Sequence, residues 1–486
     1  KLNLPGLVAI IFYSVCGGPF GSEDVVKSAG PFFAILGFTI LPFVWSIPEA
    51  LVTAELATAF PGNAGFVAWV TAAFGPAWGF LEGYLSWVSA ATDSAIYPVL
   101  FCEYLKYVWP AAAGGITKTI CVGSFSILLS VLNFTGVDIA GWSAFVLTVF
   151  TLLPFVYIVP VGLVEMEPSN FLLMRPLDEI DWSKYINVLF WNLNYWDSAS
   201  TLAGEVRQPE RTFPRALRIT VLMVLCTYIL PITAGVGLPG PDGGQNWQNW
   251  GNGYLAQVGA QTGGQFVKVW VVAASALSNV GQYLSEQAEA SHQLQGMAEL
   301  GWLPTCFAHR SVFGTPTAGL LLCLCVSLVF SLLDFSTIID FVATLYCEAQ
   351  LLEFAAFLQL RRRHPELRRP FRLPLASTAS CAAMLLPAMV LAAIILALPA
   401  VQGDWRQVVY LVALPVKGVL MYWFLQVCRT RGWIKFACEP PRDLAALLAL
   451  GPASEAADSQ EETSDELAES SGDDVEASAD SAGSGG

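Results

Sequence analysis

The sequence is poor in charged residues. Only 13% of its 486 residues are Asp, Glu, Lys or Arg, whereas 55% are hydrophobic. Soluble domains carry about 25% charged residues, and a soluble fold of this length could not hide so much apolar surface. The composition therefore excludes an ordinary soluble protein and predicts one whose natural solvent is lipid.

Residues that carry metal or catalytic chemistry are also scarce. The three histidines and eleven cysteines are scattered, with neither metal-ligand spacing nor the framework of a small disulfide-rich protein. The glycine-rich stretch at residues 17–21 lies inside an apolar run, so it is a poor nucleotide-binding loop. We expect no enzyme activity, no cofactor, no bound metal and no nucleic-acid partner.

Basic residues are absent from the C-terminal segment. Residues 451–486 hold eleven Asp or Glu and no Lys or Arg, so removing them from the net charge of −15 leaves −4 for residues 1–450. Such a segment, which also lacks aromatic residues, cannot bury enough surface to offset its ordering entropy. We expect a transmembrane domain over residues 1–438 and a disordered acidic cytoplasmic tail over 439–486, either simply solvated or regulatory.

Apolar stretches long enough to cross a hydrocarbon layer of about 30 Å recur along the chain. The third and eighth are unusually long and would have to tilt or protrude. The predicted spans are 6–26, 31–60, 75–108, 117–134, 138–165, 185–205, 213–237, 264–296, 316–332, 335–360, 377–398 and 405–428.

Lys and Arg are concentrated in three segments at or beyond the ends of these spans, at residues 207–218, 361–372 and 429–435. The loops between spans 7 and 8 and between spans 9 and 10 have none. With twelve spans, all three basic segments fall on one side, which the positive-inside rule makes cytoplasmic. We therefore expect an integral membrane protein with both termini in the cytoplasm.

Two spans contain residues that interrupt a helix. Span 1 has three glycines and a proline within residues 17–21, and span 6 places Asn192, Asn194 and Asp197 at mid-membrane. Broken backbone at that depth is tolerated only where it faces protein or a watery cavity. Inverted-repeat transporters have such breaks at corresponding positions, so spans 1–5 and 6–10 would be repeats. The alternative is a loop between two misplaced spans.

Acidic residues outnumber basic ones within or near the spans, where basic counterparts such as Lys27 and Lys268 are few. A charge at mid-bilayer costs about 2.5–3.5 kcal/mol on insertion scales. A cavity that is negative, or neutral by protonation, favours a cationic solute, a proton-coupling step or both. For Glu348 and Glu353, pairing with the arginines that follow is an alternative. The acidic residues are Glu23, Asp24, Glu49, Glu55, Glu82, Asp93, Asp197, Glu286, Glu289, Glu348 and Glu353.

Spans 3 and 8 each carry a polar stripe at helical spacing, which predicts one polar face on each that lines the interior. For the serines, hydrogen bonding between helices is the alternative. Aromatic residues beside the breaks either pack on a solute and its ammonium groups or serve as packing and belt residues. The stripes are Glu82, Ser86, Ser89, Asp93 and Tyr97 in span 3, and Ser275, Ser278, Gln282, Ser285 and Glu289 in span 8.

Several stretches, in order over about residues 5–430, resemble the amino acid–polyamine–organocation superfamily. They are Glu55-Leu56-Ala57 through FPGNAG at 60–65 and Trp69, GEVRQPERTFPRAL at 204–217, GMAELGWLPTCFAHRSVFGTP at 296–316 and LRRRHPELRRPFRLP at 360–374. Within it, GGPFGSED, PFVWSIPEALVTAELATAFP, DSAIYPVLF and LFWNLNYWDSASTLAGEV look most like the polyamine:proton symporters, typified by plant polyamine uptake transporters.

The resemblance implies an all-α LeuT-type fold with about twelve transmembrane helices, a 5+5 inverted repeat and discontinuous spans 1 and 6. It implies proton-driven import of putrescine, spermidine or spermine by alternating access, with the plasma membrane as the expected location.

The same resemblance implies that the span 1 break holds substrate against its glycines, with Glu23 near the site. Asp93, Tyr97 and Glu286 match the family's third- and eighth-span positions, and residues 194–197 match its sixth-span break. With the aromatic residues, the candidate substrate-binding residues are Gly17, Gly18, Phe20, Gly21, Glu23, Asp93, Tyr97, Asn194, Tyr195, Trp196, Asp197, Glu286 and Tyr346. The candidate proton-coupling residues are Glu23, Asp93, Asp197 and Glu286.

Three features depart from the family pattern. The run AEASHQL after Glu286 differs from it, Glu348 is not an expected acid, and span 5 lacks the lysine that related amino acid transporters use for proton coupling. An amino acid transporter of the same fold is the first alternative, although Glu23 and Asp24 beside the break disfavour an anionic group there. A non-transporting nutrient sensor, with the acidic tail as its output, is the second.

Overall fold

The structure, a computed structural model, describes residues 2–136, 142–239 and 247–441. Within these residues the regular secondary structure is helical, apart from two isolated β-bridges. The predicted acidic tail lies outside the described residues except for 439–441. The α-helices of the described chain are α1 (Leu4–Val15), α2 (Glu23–Ala29), α3 (Pro31–Val44), α4 (Ser46–Ala59), α5 (Gly65–Phe74), α6 (Pro76–Asp93), α7 (Ile96–Leu105), α8 (Gly115–Phe134), α9 (Trp142–Glu165), α10 (Trp182–Trp191), α11 (Pro209–Gly237), α12 (Leu255–Glu299), α13 (Thr317–Phe330), α14 (Phe335–Arg363), α15 (Thr378–Gln402) and α16 (Trp405–Thr430).

Helical segments coincide with all twelve predicted spans. Span 1 consists of α1 and α2, span 2 of α3 and α4, span 3 of α6 and α7, and span 6 of α10 and a 3-10 helix at Ser198–Glu205. Helices α8, α9 and α11 to α16 supply the rest, with α12 kinked at Gly263 and Gly264 where span 8 begins. Among the described residues, seven of the spans are long and apolar enough to cross a membrane by themselves. The other five are spans 1, 3, 6 and 8, which contain the breaks and polar stripes, and the short α13.

Both predicted interruptions are confirmed. In span 1, α1 ends at Val15 and α2 begins at Glu23, and Gly17 has a φ of 60° between them. In span 6, α10 ends at Trp191 and Tyr195 has a φ of 67°. The pieces beside these breaks have 7 to 12 residues, so at 1.5 Å per residue none reaches the about 30 Å needed to cross alone. Each break therefore lies within one span.

The packing of the helices follows the predicted repeat. Span 3 packs against span 10 through α6 and α14, and span 8 packs against span 5 through α12 and α9. The repeat relates span 3 to span 8 and span 5 to span 10. The contact between spans 3 and 10 therefore corresponds to the contact between spans 8 and 5. Helices α15 and α16 pack on the outside, against α14 and α6 respectively.

The three basic segments lie at one face of the bundle, which we call the basic face. The backbone of Leu2 bonds to Glu205 and Arg207 after span 6. Glu205 forms an ion pair with Arg310 at 3.9 Å. Thr305, in the same loop as Arg310, donates its N–H to the Lys435 carbonyl at 3.0 Å after span 12. Both described chain ends are therefore on this side.

Glu55 joins span 2 to the loop after span 10 at the basic face. The Arg361 guanidinium donates to both Glu55 oxygens, and Arg369 Nε lies 3.1 Å from Oε1. The Leu373 N–H donates to Oε2 at 2.8 Å. All three charged side chains are buried. Glu55 is thus a neutralised structural carboxylate rather than one open to a solute.

Substituting Glu55→Gln should lower stability, because two buried guanidinium groups would lose their counter-ion. Removing one partner of a buried pair costs about 3–5 kcal/mol. The apparent melting temperature of the detergent-solubilised protein, followed by tryptophan fluorescence, measures the effect. Glu103→Gln is the control, since Glu103 pairs with Lys106 and Lys118 in a partly exposed setting and should contribute at most about 1 kcal/mol. Equal melting temperatures for the two variants would contradict the assignment.

Candidate functional site

A small cavity lies beside the break of span 6, and we call it the central cavity. Its volume is about 20 Å³, close to the minimum for one water. Spans 3, 6, 8 and 10 line it, together with α5. The polar residues of its lining are Ser86, Tyr195, Asp197, Ser198, Thr201, Glu286, Glu289, Gln293 and Tyr346.

Three carboxyl groups face the central cavity without a basic partner. Asp197, Glu286 and Glu289 are all buried. Among the ion pairs formed by the described residues, none includes any of the three. Because an uncompensated buried charge is costly, these groups must either hold protons or accept a cation from outside the chain.

The stripe on span 3 faces this site, as its spacing predicts. Ser86 donates to Glu82 Oε1 at 2.7 Å, and Tyr97 donates to Asp93 Oδ2 at 3.0 Å. The Ser89 hydroxyl lies 2.9 Å from the Tyr195 hydroxyl. One face of α6 and α7 therefore carries two carboxyl groups, one on each side of Tyr195.

Asp93 lines a second pocket, the Asp93 pocket, which has no room for a water. Trp191 Nε1 donates to Asp93 Oδ1 at 2.7 Å. The Glu286 carboxyl lies against Asp93 and Tyr97, yet no described donor bonds to either of its oxygens in regular geometry. Tyr195 lines both this pocket and the central cavity, so the two are neighbours across its side chain.

The stripe on span 8 faces the break of span 1. Ser278 donates to the Gly17 carbonyl at 2.6 Å, and Gln282 donates to the Cys16 carbonyl at 3.4 Å. Ser14 donates to Glu289 Oε1 at 2.7 Å. The interior face is therefore confirmed for most of the stripe. Ser285 is the exception, because it lines a separate cavity on another side of α12.

The break of span 6 is held by Tyr346 and Glu49. Tyr195 donates its N–H to the Tyr346 hydroxyl at 3.0 Å, and the two rings lie 4.4 Å apart. Trp196 donates its N–H to Glu49 Oε1 at 2.6 Å. The Tyr346 hydroxyl lies 2.6 Å from Glu49 Oε1 and 2.5 Å from Asp197 Oδ1. A single phenolic oxygen thus joins spans 2, 6 and 10.

Two further carboxyl groups extend this contact. Glu353 lies against Asp197 and is close to Glu82, and it accepts a weak bond of 3.4 Å from Gln350. Both acids are buried. Glu353 therefore points into the bundle, and pairing with the arginines that follow, the alternative for this residue, is not what the structure has.

Glu23 lies away from the central cavity and has several donors. It accepts the N–H of Gly21 at 2.9 Å and of Gly253 at 3.1 Å, and the hydroxyl of Tyr104. Phe20 packs edge-on against Tyr104, with ring centroids 5.2 Å apart. These residues tie span 1 to span 3 and to the segment that leads into α12.

The remaining candidate residues belong to the walls of the breaks. Gly17 and Gly21 have no room for a Cβ, which would lie 2.3 Å from Gln282 and 2.9 Å from Trp191 respectively. The Trp196 indole donates to its own segment, at Leu193. Asn194 is fully buried, and neither of its amide atoms has a described partner. The candidates that line neither cavity are Gly17, Gly18, Phe20, Gly21, Glu23, Asn194 and Trp196.

Sequence reasoning left out several residues that the structure brings to the site. Glu289 and Ser86 belong to the predicted stripes, so their spacing was a usable signal. Glu49 and Glu353 stood out only as acids within spans. Trp191, an aromatic residue in an apolar stretch, carried no signal of its hydrogen bond to Asp93.

Comparison with known proteins places this geometry in a family. Residues 2–416 match the Amino acid permease family. The chain is 45% identical over 434 residues to "Polyamine transporter PUT1" of Oryza sativa subsp. japonica, covering 89% of this chain and 80% of that protein. It is 42% identical over 438 residues to "Polyamine transporter RMV1" of Arabidopsis thaliana, covering 90% and 88% respectively. The chain belongs to the amino acid permease family and is a membrane transporter rather than an enzyme.

Proposed function

We propose that this protein imports polyamines by proton symport, through alternating access at the central cavity. The observation that carries the proposal is the set of three buried carboxyl groups, Asp197, Glu286 and Glu289, around a cavity with no basic partner among the described residues. A cationic solute would supply the missing positive charge. Two relatives named as polyamine transporters, similar over most of their length, support the same substrate class.

The separation of two acidic loci along span 3, at Glu82 and at Asp93, suits a solute with several ammonium groups. Glu82 and Asp93 lie eleven residues apart on one face of span 3, about 16 Å at 1.5 Å per residue. Tyr195 and Tyr346 lie between these ends, where their rings would pack on methylene groups and on ammonium groups through cation–π contact. A single-amine substrate would leave one locus without a cation.

The described conformation is contracted, because the central cavity has room for about one water. Binding a polyamine therefore requires the helices around the breaks to move. Short helical pieces joined by non-helical backbone, as in spans 1 and 6, allow such movement without unfolding a whole span. By the positive-inside rule we take the basic face as cytoplasmic, with both termini there. The plasma membrane is the proposed location on the resemblance to plant polyamine uptake transporters.

The purified protein is placed in liposomes with a pH gradient that is more acidic on the side opposite the basic face. Radiolabelled putrescine should then accumulate in the compartment on the side of the basic face. Collapsing the pH gradient with an ionophore should abolish accumulation, because the proton gradient drives it. Uptake that ignores the gradient, or accumulation of amino acids instead of putrescine, would be incompatible with the proposal.

Removing one cavity charge should weaken polyamine binding. In Glu286→Gln the KM for spermidine should rise by about tenfold or more, since a bond to a charged group contributes about 1.5–3 kcal/mol. Concentration-dependent uptake measures it. Glu348→Gln is the matched control, because Glu348 is an intramembrane acid that lines neither cavity. A KM for Glu286→Gln equal to that of the control would remove Glu286 from the binding site.

An amino acid carrier of the same family is the second candidate, favoured by the family description that matches residues 2–416. Such a carrier needs free backbone N–H groups at the span 1 break to hold a carboxylate. Here the Gly21 N–H donates to Glu23, so the chain's own carboxylate occupies that position. Unlabelled spermidine should therefore suppress labelled putrescine uptake, whereas leucine and lysine should not. Suppression by the amino acids and not by spermidine would favour the second candidate.

A further inference from the structure

We propose that Glu49, Tyr346 and Asp197 together form the site that carries the coupled proton, a group we call the Tyr346 bridge. This inference rests on the proposed function, since it assigns the proton of that symport. It adds Glu49 and Tyr346, from spans 2 and 10, to Asp197 as a proton-carrying unit.

The hydrogen atoms around Tyr346 can be counted from the geometry. Its hydroxyl oxygen accepts the N–H of Tyr195 and has one hydrogen to donate. Two carboxyl oxygens, Glu49 Oε1 and Asp197 Oδ1, lie 2.6 and 2.5 Å from it. One phenolic hydrogen can serve only one of these contacts, so the other oxygen pair needs a hydrogen of its own. That hydrogen must reside on a carboxyl group.

Two arrangements of one proton satisfy the contacts of Tyr346 and of the backbone. Glu49 Oε1 already accepts the N–H of Trp196 at 2.6 Å. If Tyr346 donates to the same Oε1, then Asp197 carries the proton and donates it back to the phenolic oxygen. The reverse arrangement, with Glu49 protonated and Tyr346 donating to Asp197, also holds one proton. A phenolate satisfies neither contact, because it would place three acceptors together.

The Tyr346 bridge contains a buried oxygen without a partner. Glu49 is fully buried, and its Oε2 has no hydrogen-bond partner among the described residues. The Trp45 indole is close to this carboxyl but is not in regular hydrogen-bond geometry with it. A buried carboxylate oxygen that receives no donor is unfavourable, so this oxygen favours the arrangement in which Glu49 holds the shared proton on Oε1. This observation is independent of the phenolic hydrogen count.

The groups that face the bridge from neighbouring elements add negative charge or are neutral. Glu82 comes from α6, Glu353 and Cys347 from α14, Tyr195 from the span 6 break and Glu289 from α12. These are the titratable neighbours that interact with it in the described chain. Because none of them is cationic, the bridge can reduce its own charge only by binding a proton or the substrate's ammonium group.

The bridge is also placed to couple the proton to movement. It binds two consecutive N–H groups of the broken backbone, those of Tyr195 and Trp196. When the carboxyl O–H bond breaks and its proton passes to water on the open side, two carboxylates are left on one phenolic oxygen. Their repulsion would separate Glu49 from Asp197 and release the break. The protonated bridge therefore favours the contracted conformation, and its deprotonation favours an open one.

The test compares Glu49→Gln and Tyr346→Phe with wild type in liposomes. The change at Tyr346 retains the ring that packs on Tyr195, and the control is Glu348→Gln, two residues away and outside the bridge. Putrescine accumulation driven by a pH gradient should be lost in both bridge variants. In Glu49→Gln, exchange of internal for external putrescine at equal pH should persist, because exchange needs no net proton movement and Glu49 lines neither cavity. Wild type and Glu348→Gln should show both activities.

Infrared difference spectroscopy supplies a measurement that does not depend on transport. Two difference spectra are recorded at neutral pH, wild type minus Glu49→Gln and wild type minus Asp197→Asn. At least one of them should show a protonated carboxyl C=O band that shifts in D₂O. Tyr346→Phe should shift that band, and Glu348→Gln should leave it unchanged. If the bridge variants lose exchange as well, this band decides whether a proton resides there.

The outcomes separate the two proposals. If the pH gradient drives putrescine accumulation equally well in wild type and in the bridge variants, the Tyr346 bridge is overturned and the proposed symport stays intact. Absence of the carboxyl band from both infrared differences would also overturn the bridge. If the pH gradient has no effect on putrescine accumulation by wild type, both the proposed symport and the Tyr346 bridge are overturned.

Discussion

Buried carboxyl groups without basic partners constrain the whole centre of this bundle. An isolated carboxylate is costly in a low-dielectric interior, and so are backbone N–H groups that a broken helix leaves unpaired in a membrane. In this structure, some of the unpaired backbone N–H groups donate to buried carboxyl groups, so each supplies part of what the other needs. The Trp196 N–H donates to Glu49, and the Gly21 N–H donates to Glu23. The breaks and the acids therefore support one another, and neither would be stable at this depth alone.

The acids differ in what neutralises them, and this difference separates structural from functional carboxyl groups. Glu55 has two arginines, and Glu23 has two backbone N–H groups and a phenol at close range. Among the described residues, Glu286 has no regular donor, and Asp197 shares a phenol with Glu49 and lies against a further acid, Glu353. The less a buried carboxyl group receives from the chain, the more a proton or an external cation gains by binding there.

Local sequence patterns predicted the breaks and the polar stripes, because glycine, proline and helical spacing act over a few residues. They could not predict which acids meet. Glu49 and Tyr346 are 297 positions apart, and their contact depends on how spans 2 and 10 pack. Glu353 shows the same limit. It lies eight positions before Arg361, yet Arg361 turns to Glu55 while Glu353 faces Asp197. The rotation of α14 about its axis, which decides between these partners, depends on its neighbours and not on its own sequence.

The two breaks are related by the repeat but are held by different chemistry. Neutral groups of span 8 hold the break of span 1, where Ser278 and Gln282 donate to the carbonyls of Gly17 and Cys16. Those bonds do not depend on protonation. The break of span 6 is held through Tyr346 and Glu49, whose contacts require a shared proton. In the proposed mechanism, a change in the proton occupancy of the Tyr346 bridge therefore acts directly on the break of span 6. At the break of span 1, the contacts to Gly17 and Cys16 are neutral, and the carboxyl group present is Glu23, which accepts the Gly21 N–H and lies away from the bridge.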